Sequence, residues 1–257
     1  MTVLGINAYG YLIYDLSFLL LYPTYNCLQL NPNTHQWSPI KSDAAECQPN
    51  YFCKHTSTIK WSRDESSPHS LDNWMHKFKM DCSSEFTISL FGMLFFTGYA
   101  IGNLIIPVLS DRYGRKKIFI CNMLVSLLSF ISLLLMPDNY NCIYIIMGIF
   151  FVGGFNSAGR MMVGYCYMIE MAPTKDRSWM CTVWDIHDGT MMIWVTLYYV
   201  YVSKNWRPTL YWASFVQSVT ILLISCFLPE SPKWIYNQKD YAASFKVFSY
   251  LAKQNGK

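Results

Sequence analysis

Ser110-Asp111-Arg112-Tyr113-Gly114-Arg115-Lys116-Lys117 is the stretch on which the reading of this chain turns. Four of its eight residues are Arg or Lys, and apolar runs flank it, from Phe86 to Leu109 and from Ile118 to Met136. Both runs have membrane length, since roughly 20 helical residues cross about 30 Å of hydrocarbon. Gly114 permits a sharp turn, including one with positive φ. Asp111 can cap a helix end or pair with a neighbouring cation. Arg112, Arg115 and Lys116 place positive charge where cytoplasmic loops carry it. Residues 110–117 therefore read as a tight charged loop between two membrane spans.

Composition agrees. Hydrophobic residues are 53% of 257 and charged residues 14%, apolar-rich and charge-poor against soluble averages. The 9 Trp and 19 Tyr are rings that favour bilayer interfaces. A net charge of +4 with no Arg/Lys-rich arm argues against a nucleic-acid partner. Metal-finger spacing, a phosphate-cradling glycine loop and a GxSxG motif are all missing, so no enzyme, cofactor or metal site is expected. The first apolar run begins at Val3 without a basic flank and without a small-residue cleavage pattern after it. It reads as a retained helix rather than a leader.

The fold class expected is an all-α membrane protein with six spans: 1–22, 86–109, 118–136, 143–166, 179–202 and 209–228. Asp15 interrupts the first. A carboxylate there costs about 2.5–3.5 kcal/mol on insertion scales unless it meets a cavity or a partner. A position facing a transport path and a packed, hydrogen-bonded one both remain open. Residues 23–85 change character to Pro, Asn, Ser and mixed charge, a loop long enough to form a small subdomain. It holds Cys27, Cys47, Cys53 and Cys82, four of the nine cysteines, and no N-x-S/T site. An even number of cysteines points to two disulfides if the loop faces an oxidising space, with three connectivities open. Cys121, Cys142, Cys166, Cys181 and Cys226 lie in or beside apolar spans and read as small buried hydrophobes.

Gly98 and Gly102 give the second span a small-residue face, and Pro107 is expected to bend it or end it early. The short Pro137-Asp138-Asn139 connection makes spans three and four antiparallel neighbours. Span four carries Gly148, Gly153, Gly154, Gly159 and Gly164, and is interrupted by Arg160. That arginine either enters a polar cavity or snorkels to the headgroups, the snorkel being the favoured reading. Glu170 is placed to pair with Arg112 or Arg115. Asp185 and Asp188 share one face of span five, with His187 on another. They form either an intramembrane acidic pair with a function or residues close to the membrane surface. The 229–257 tail is basic and amphipathic, with Lys239, Lys246, Lys253 and Lys257, and reads as a surface helix.

Lys and Arg counts set the orientation. The 110–117 and 171–177 turns hold six, 137–142 holds none, and 203–208 holds Lys204 and Arg207. Both termini are then cytoplasmic and the cysteine loop lies outside, in a multi-pass protein of the plasma membrane or an organelle membrane.

Taken together, these signals resemble the amino-terminal half of the organic cation, organic anion and carnitine transporters, a branch of the major facilitator superfamily. The resemblance rests on Cys27, the long cysteine loop with Cys82 before the second span, Ser110 to Lys117, and Glu170 with Pro173 and Arg177. It extends through Trp206-Arg207 and Pro229-Glu230-Ser231-Pro232-Lys233-Trp234 to Ala252-Lys253-Gln254-Asn255-Gly256. Sugar porters share the charged turn and the Pro-Glu-Ser-Pro element, but the cysteine loop favours the organic-ion branch.

The resemblance implies a bundle of two inverted three-helix repeats that works against a second bundle by alternating access. It implies a conformational charge network of Asp111, Arg112, Gly114, Arg115, Lys116, Glu170, Arg177 and Glu230, in which Asp111 acts on a helix terminus. Spans one, two, four and five would line the path, with Asp15, Arg160, Asp185 and Asp188 as its polar positions. The substrate would be a small organic ion of open sign, the acids favouring a cation and Arg160 an anion. Four departures stand against a simple transfer. The chain ends at the start of the central linker, Pro107 replaces the glycine that opens the charged motif, Phe150 replaces an arginine early in helix four, and the loop lacks glycosylation signals. The expected partners are membrane lipid and a second six-helix bundle, from another copy or a separate chain. The alternatives are a non-transporting subunit of a larger membrane complex, or a fragment of a twelve-helix carrier.

Overall fold

The structure is a computed structural model that describes Val3, Asn7 and residues 10–31, 35–42, 44–67, 70–137 and 142–254. Most of the first span before Gly10, Asp138-Asn139 and the Asn255-Gly256 ending lie outside the described residues. The chain is mostly helical. Its long elements are α1 (Gly10–Leu19), α2 (Glu85–Tyr113), α3 (Arg115–Leu135), α4 (Ile143–Met171), α5 (Arg177–Leu197, continued by a π turn over Tyr198–Val202) and α6 (Arg207–Phe227). Two shorter helices follow, α7 (Pro232–Asn237) and α8 (Tyr241–Gln254). By length and composition α2, α3, α4 and α6 can cross a membrane.

The charged stretch corrects its reading as a loop. Ser110 to Tyr113 are the last turn of α2, and α3 begins at Arg115, so Gly114 alone separates them. Its φ of 107° and ψ of 148° fall in a region that is essentially restricted to glycine. Nor does Pro107 end its helix: α2 runs through it for 29 residues. Proline removes one donor from the ladder, a local loss that a long packed helix tolerates.

Glycine spacing explains the closest helix pair. α2 lies against α4 so tightly that a Cβ on Gly98 would strike the Phe151 carbonyl, and one on Gly154 the Phe95 carbonyl. Small residues let backbones approach, and dispersion contacts between them then hold the pair. α1 packs on α5 and α6, and α3 packs on α4 and α6. Gln217 of α6 is fully buried and donates to the Met123 carbonyl of α3.

Residues 23–84 correct the all-α expectation. They contain an antiparallel sheet of order β2-β1-β3, formed by β1 (Tyr25–Leu30), β2 (Trp37–Ile40) and β3 (Ile59–Arg63), with Cys27 opposite Ile40 and Trp61. Tyr25 and Cys27 point inward from β1 while Asn26 and Leu28 are exposed, the period-2 alternation of a half-buried strand. Disulfides join Cys27 to Cys47 and Cys53 to Cys82. Asp81 receives both the Tyr25 hydroxyl at 2.8 Å and the Arg63 guanidinium at 2.9 Å. Burial, and then the Asp81 charge, raise the Tyr25 hydroxyl above the ordinary phenol range, so it stays a donor.

This segment is anchored in the helices. Trp74, fully buried, meets the rings of Phe150 at 5.6 Å and Trp206 at 6.0 Å edge-on. Asn73 donates to the Phe18 carbonyl in the last turn of α1 at 2.9 Å and to the Leu21 carbonyl just beyond it at 2.8 Å. Phe150 thus fills an aromatic core beneath Trp74.

Candidate functional site

At the end of the bundle opposite the sheet, one carboxylate–guanidinium network ties four helices. Arg115 pairs with Asp111 at 2.6 Å, donates to the Ser110 hydroxyl at 2.6 Å, and lies 3.5 Å from Glu170. Glu170 also accepts from the Ser231 hydroxyl at 2.6 Å. Glu230 accepts from the backbone N–H of Lys116 at 2.8 Å and of Ser231 at 3.0 Å. Trp234 closes the circuit by donating its indole N–H to the Asp111 carbonyl at 2.8 Å. The Arg115 and Glu170 side chains are only 17% and 11% exposed, so solvent screens this pair less than a surface one. A carboxylate on the N-terminus of α3 is worth about 0.3–1 kcal/mol, and up to ~2 when partly buried.

Two expected members stand apart. Arg112 is exposed, its guanidinium 5.5 Å from the Tyr113 ring centre. Arg177 is exposed and donates to the Ala172 carbonyl at 3.3 Å. Arg177 borders one groove with Glu170 without a hydrogen bond between them among the described contacts. Asp111 acts on Arg115, with its own backbone carbonyl held by Trp234.

Mid-bundle, a cavity of about 260 Å³ opens between α1, α2, α4 and α5. Tyr14, Phe95, Phe96, Tyr99, Ser157, Arg160 and Asp188 line it. Arg160 is 2% exposed and donates to the Ser157 hydroxyl at 2.7 Å, which corrects the snorkel. It sits in a π turn, Gly159–Val163, and such turns shift the register of the side chains that follow. Asp188 accepts from the Tyr14 hydroxyl at 3.2 Å. Both charge signs therefore border one aromatic-walled cavity.

The other two expected path residues are elsewhere. Asp15 is 1% exposed and accepts the Thr209 hydroxyl at 2.5 Å, packed between α1 and α6. Asp185 is exposed and is not among the residues that line this cavity, whereas Asp188 is. Tyr14, about 100° around α1 from Asp15, supplies the hydroxyl that meets Asp188, and nothing local in the sequence marks it. Asn7 adds a second tie from this end of the chain to α5, bonded to His187 at 2.8 Å and to the Trp184 indole at 2.9 Å.

A family model described as "Sugar (and other) transporter" matches residues 19–257. The chain belongs to this family of the major facilitator superfamily. Members are integral membrane transporters, not enzymes. Among individual sugar (and other) transporter relatives, "Solute carrier family 22 member 2" of Rattus norvegicus is 29% identical over 181 residues, 70% of this chain and 32% of the relative. The human protein of the same name is 25% identical over 199 residues, 72% of this chain and 34% of the relative. A "Beta-alanine transporter" of Drosophila melanogaster is 25% identical over 231 residues, 89% of this chain and 34% of the relative. The chain spans about a third of the length of these curated relatives.

Proposed function

We propose that the chain is one six-helix bundle of an alternating-access carrier for small organic ions, and that the cavity between α1, α2, α4 and α5 is its half of the substrate site. The observation that carries this reading is the meeting of Arg160 and Asp188 on one cavity. A buried arginine attracts a carboxylate bidentately, and an aspartate beside aromatic rings attracts an ammonium group. Opposite signs on one cavity suit a small zwitterion better than a simple cation or anion. β-Alanine, the compound in the name of the Drosophila relative, is such a molecule.

Helix pairing supports the six-helix, inverted-repeat part of the reading. Exchanging helices 1–3 for 4–6 turns the α1–α5 contact into α4–α2 and leaves α3–α6 unchanged, and all three contacts are present. Orientation follows the basic turns: the charged network on the cytoplasmic side, with both termini, and the disulfide-bonded sheet outside. A second bundle completes the path, supplied by another copy, another chain or a continuation of this one. The network of Asp111, Arg115, Glu170 and Glu230 breaks and reforms as the bundles rock.

A second reading, a transporter-derived structural subunit of a larger membrane complex, draws on Phe150, which puts a packed ring where the family's arginine is expected. Time-dependent uptake of labelled small zwitterions by cells making the chain, with its partners identified by native mass, decides between the two. Saturable uptake with a two-bundle mass supports transport. No uptake, with stoichiometric unrelated subunits, supports the structural role.

A further inference from the structure

We infer that Asp15 is a proton-binding site: it is carried as a carboxylic acid between α1 and α6 and exchanges its proton past Tyr199. The inference stands apart from the zwitterion reading and begins with a count of hydrogens. The Thr209 hydroxyl lies 2.5 Å from Asp15 Oδ2 and 2.7 Å from the Trp206 carbonyl oxygen. Both are O–H···O distances, so each contact needs a hydrogen. A hydroxyl has one to give, and a carbonyl has none. If Asp15 were ionised it would take the Thr209 proton, and the Trp206 carbonyl would face a hydroxyl lone pair at 2.7 Å. With a proton on Asp15 Oδ2 both contacts are hydrogen bonds: the acid donates to Thr209, and Thr209 donates to Trp206.

The surroundings favour the neutral acid. Asp15 lies among the buried apolar residues Leu12, Leu19, Trp206, Leu210 and Ala213, and its Oδ1 has no hydrogen-bond partner among the described residues. No ion pair involves it there either. The nearby cations are engaged with Trp206: Lys77 Nζ lies 5.0 Å from that ring's centre and the Arg207 guanidinium 5.9 Å. The titratable groups around the carboxyl are phenols, Tyr198 and Tyr199 of the π turn and Tyr11 one turn back on α1. Tyr198 donates to the Asn205 carbonyl at 2.7 Å. A buried carboxylate with one acceptor contact and no cation is the costly state, and a proton removes its charge.

Tyr199 marks the way in and out. Its hydroxyl faces Asp15 and, like Oδ1, has no hydrogen-bond partner in good geometry among the described residues. Its other side borders a cavity of about 500 Å³ at the sheet end of the bundle, lined also by Phe18, Leu21, Leu71 and Lys204. Tyr199 thus stands between the acid and a space that opens to solvent. Loss of the proton leaves a charge between α1 and α6 and costs the Thr209–Trp206 hydrogen bond, so it weakens the contact between those helices.

The test is infrared spectroscopy of the full chain, with whatever accompanies it in its membrane, in lipid nanodiscs. A buried carboxylic acid has a C=O stretching band apart from those of amides and carboxylates. At neutral pH the wild type should show this band, heavy water should shift it, and D15N should remove it. T209V keeps the acid and removes its acceptor, so the band should stay and move to higher frequency. Matching spectra of wild type and D15N in this region, or a band that T209V leaves in place, would overturn the inference. Should D15N fail to assemble, T209V carries the assignment alone. Y199A should speed deuterium exchange of the band at least ten-fold, and an unchanged rate would reject the route past Tyr199. Melting gives a second readout. Asp15 is ionised in the unfolded chain at neutral pH and protonated in the folded one, so unfolding releases a proton and stability falls as pH rises. The wild type should therefore lose melting temperature relative to D15N between mildly acidic and alkaline buffer. Parallel curves would mean that Asp15 is ionised in both states and would overturn the inference.

Discussion

Glu230 holds the start of the helix that begins at Arg115: its Oε1 accepts the backbone N–H of Lys116 at 2.8 Å, across 114 residues of sequence. A cap of this kind is ordinarily supplied by the residue just before a helix. Here that residue is Gly114, which has no side chain to offer and whose missing Cβ is what lets the Glu230 carboxylate approach. Replacing Glu230 by Ala leaves the N–H groups of Lys116 and Ser231 without this acceptor, a loss of about 1–3 kcal/mol. Glu230→Gln keeps an acceptor and loses only the charge, about 0.3–1 kcal/mol. Thermal unfolding in detergent should therefore rank wild type above E230Q and E230Q above E230A.

Gly114→Ala tests the turn itself. The backbone there has φ 107°, and an added Cβ would meet the Glu230 carboxylate. Strain of this kind costs about 1–3 kcal/mol before any clash is counted. The expected result is a clear fall in melting temperature, larger than that of E230Q.

Tight and open glycines should separate on the same scale. Gly154→Ala forces a Cβ into the backbone of Phe95, whereas Gly148→Ala meets nothing within 4 Å. Overpacking costs about 1–3 kcal/mol, and more where only backbone can yield. G154A should be destabilised or fail to assemble, and G148A should unfold like the wild type.

The cysteine connectivity is testable without any substitution. Peptide mapping without reductant should recover Cys27 linked to Cys47 and Cys53 linked to Cys82. The double variant C27S/C47S should lose about 2–4 kcal/mol, chiefly as protease sensitivity of the sheet segment. Cys27–Cys53 or Cys27–Cys82 peptides would reject the arrangement.

Much of the architecture was legible because it is written in local pattern. Apolar runs of membrane length mark α2, α3, α4 and α6, and the Gly98/Gly102 spacing marks a close helix contact. What was not legible depends on residues far apart in sequence. No local feature tells that Arg160 turns inward to Ser157, that Tyr14 meets Asp188 across 174 residues, or that Asp15 is spoken for by Thr209 across 194. The sheet was missed because its strands are four to six residues long and lie among turn-forming residues. The charged stretch was read as a loop because charge density hid the continuing helix; only Gly114 breaks it.

Binding measured against charge at the Arg160–Asp188 cavity tests the central claim most directly. The chain, reconstituted with whatever bundle accompanies it in the membrane, is titrated with a small ω-amino acid, its amide (cationic) and its N-acetyl derivative (anionic). The zwitterion should bind at least ten-fold tighter than either. R160Q should bring the zwitterion down to the level of the amide, and D188N to that of the N-acetyl compound. Equal binding of the three by the wild type, or losses in R160Q and D188N that ignore which charge the ligand carries, would contradict the account.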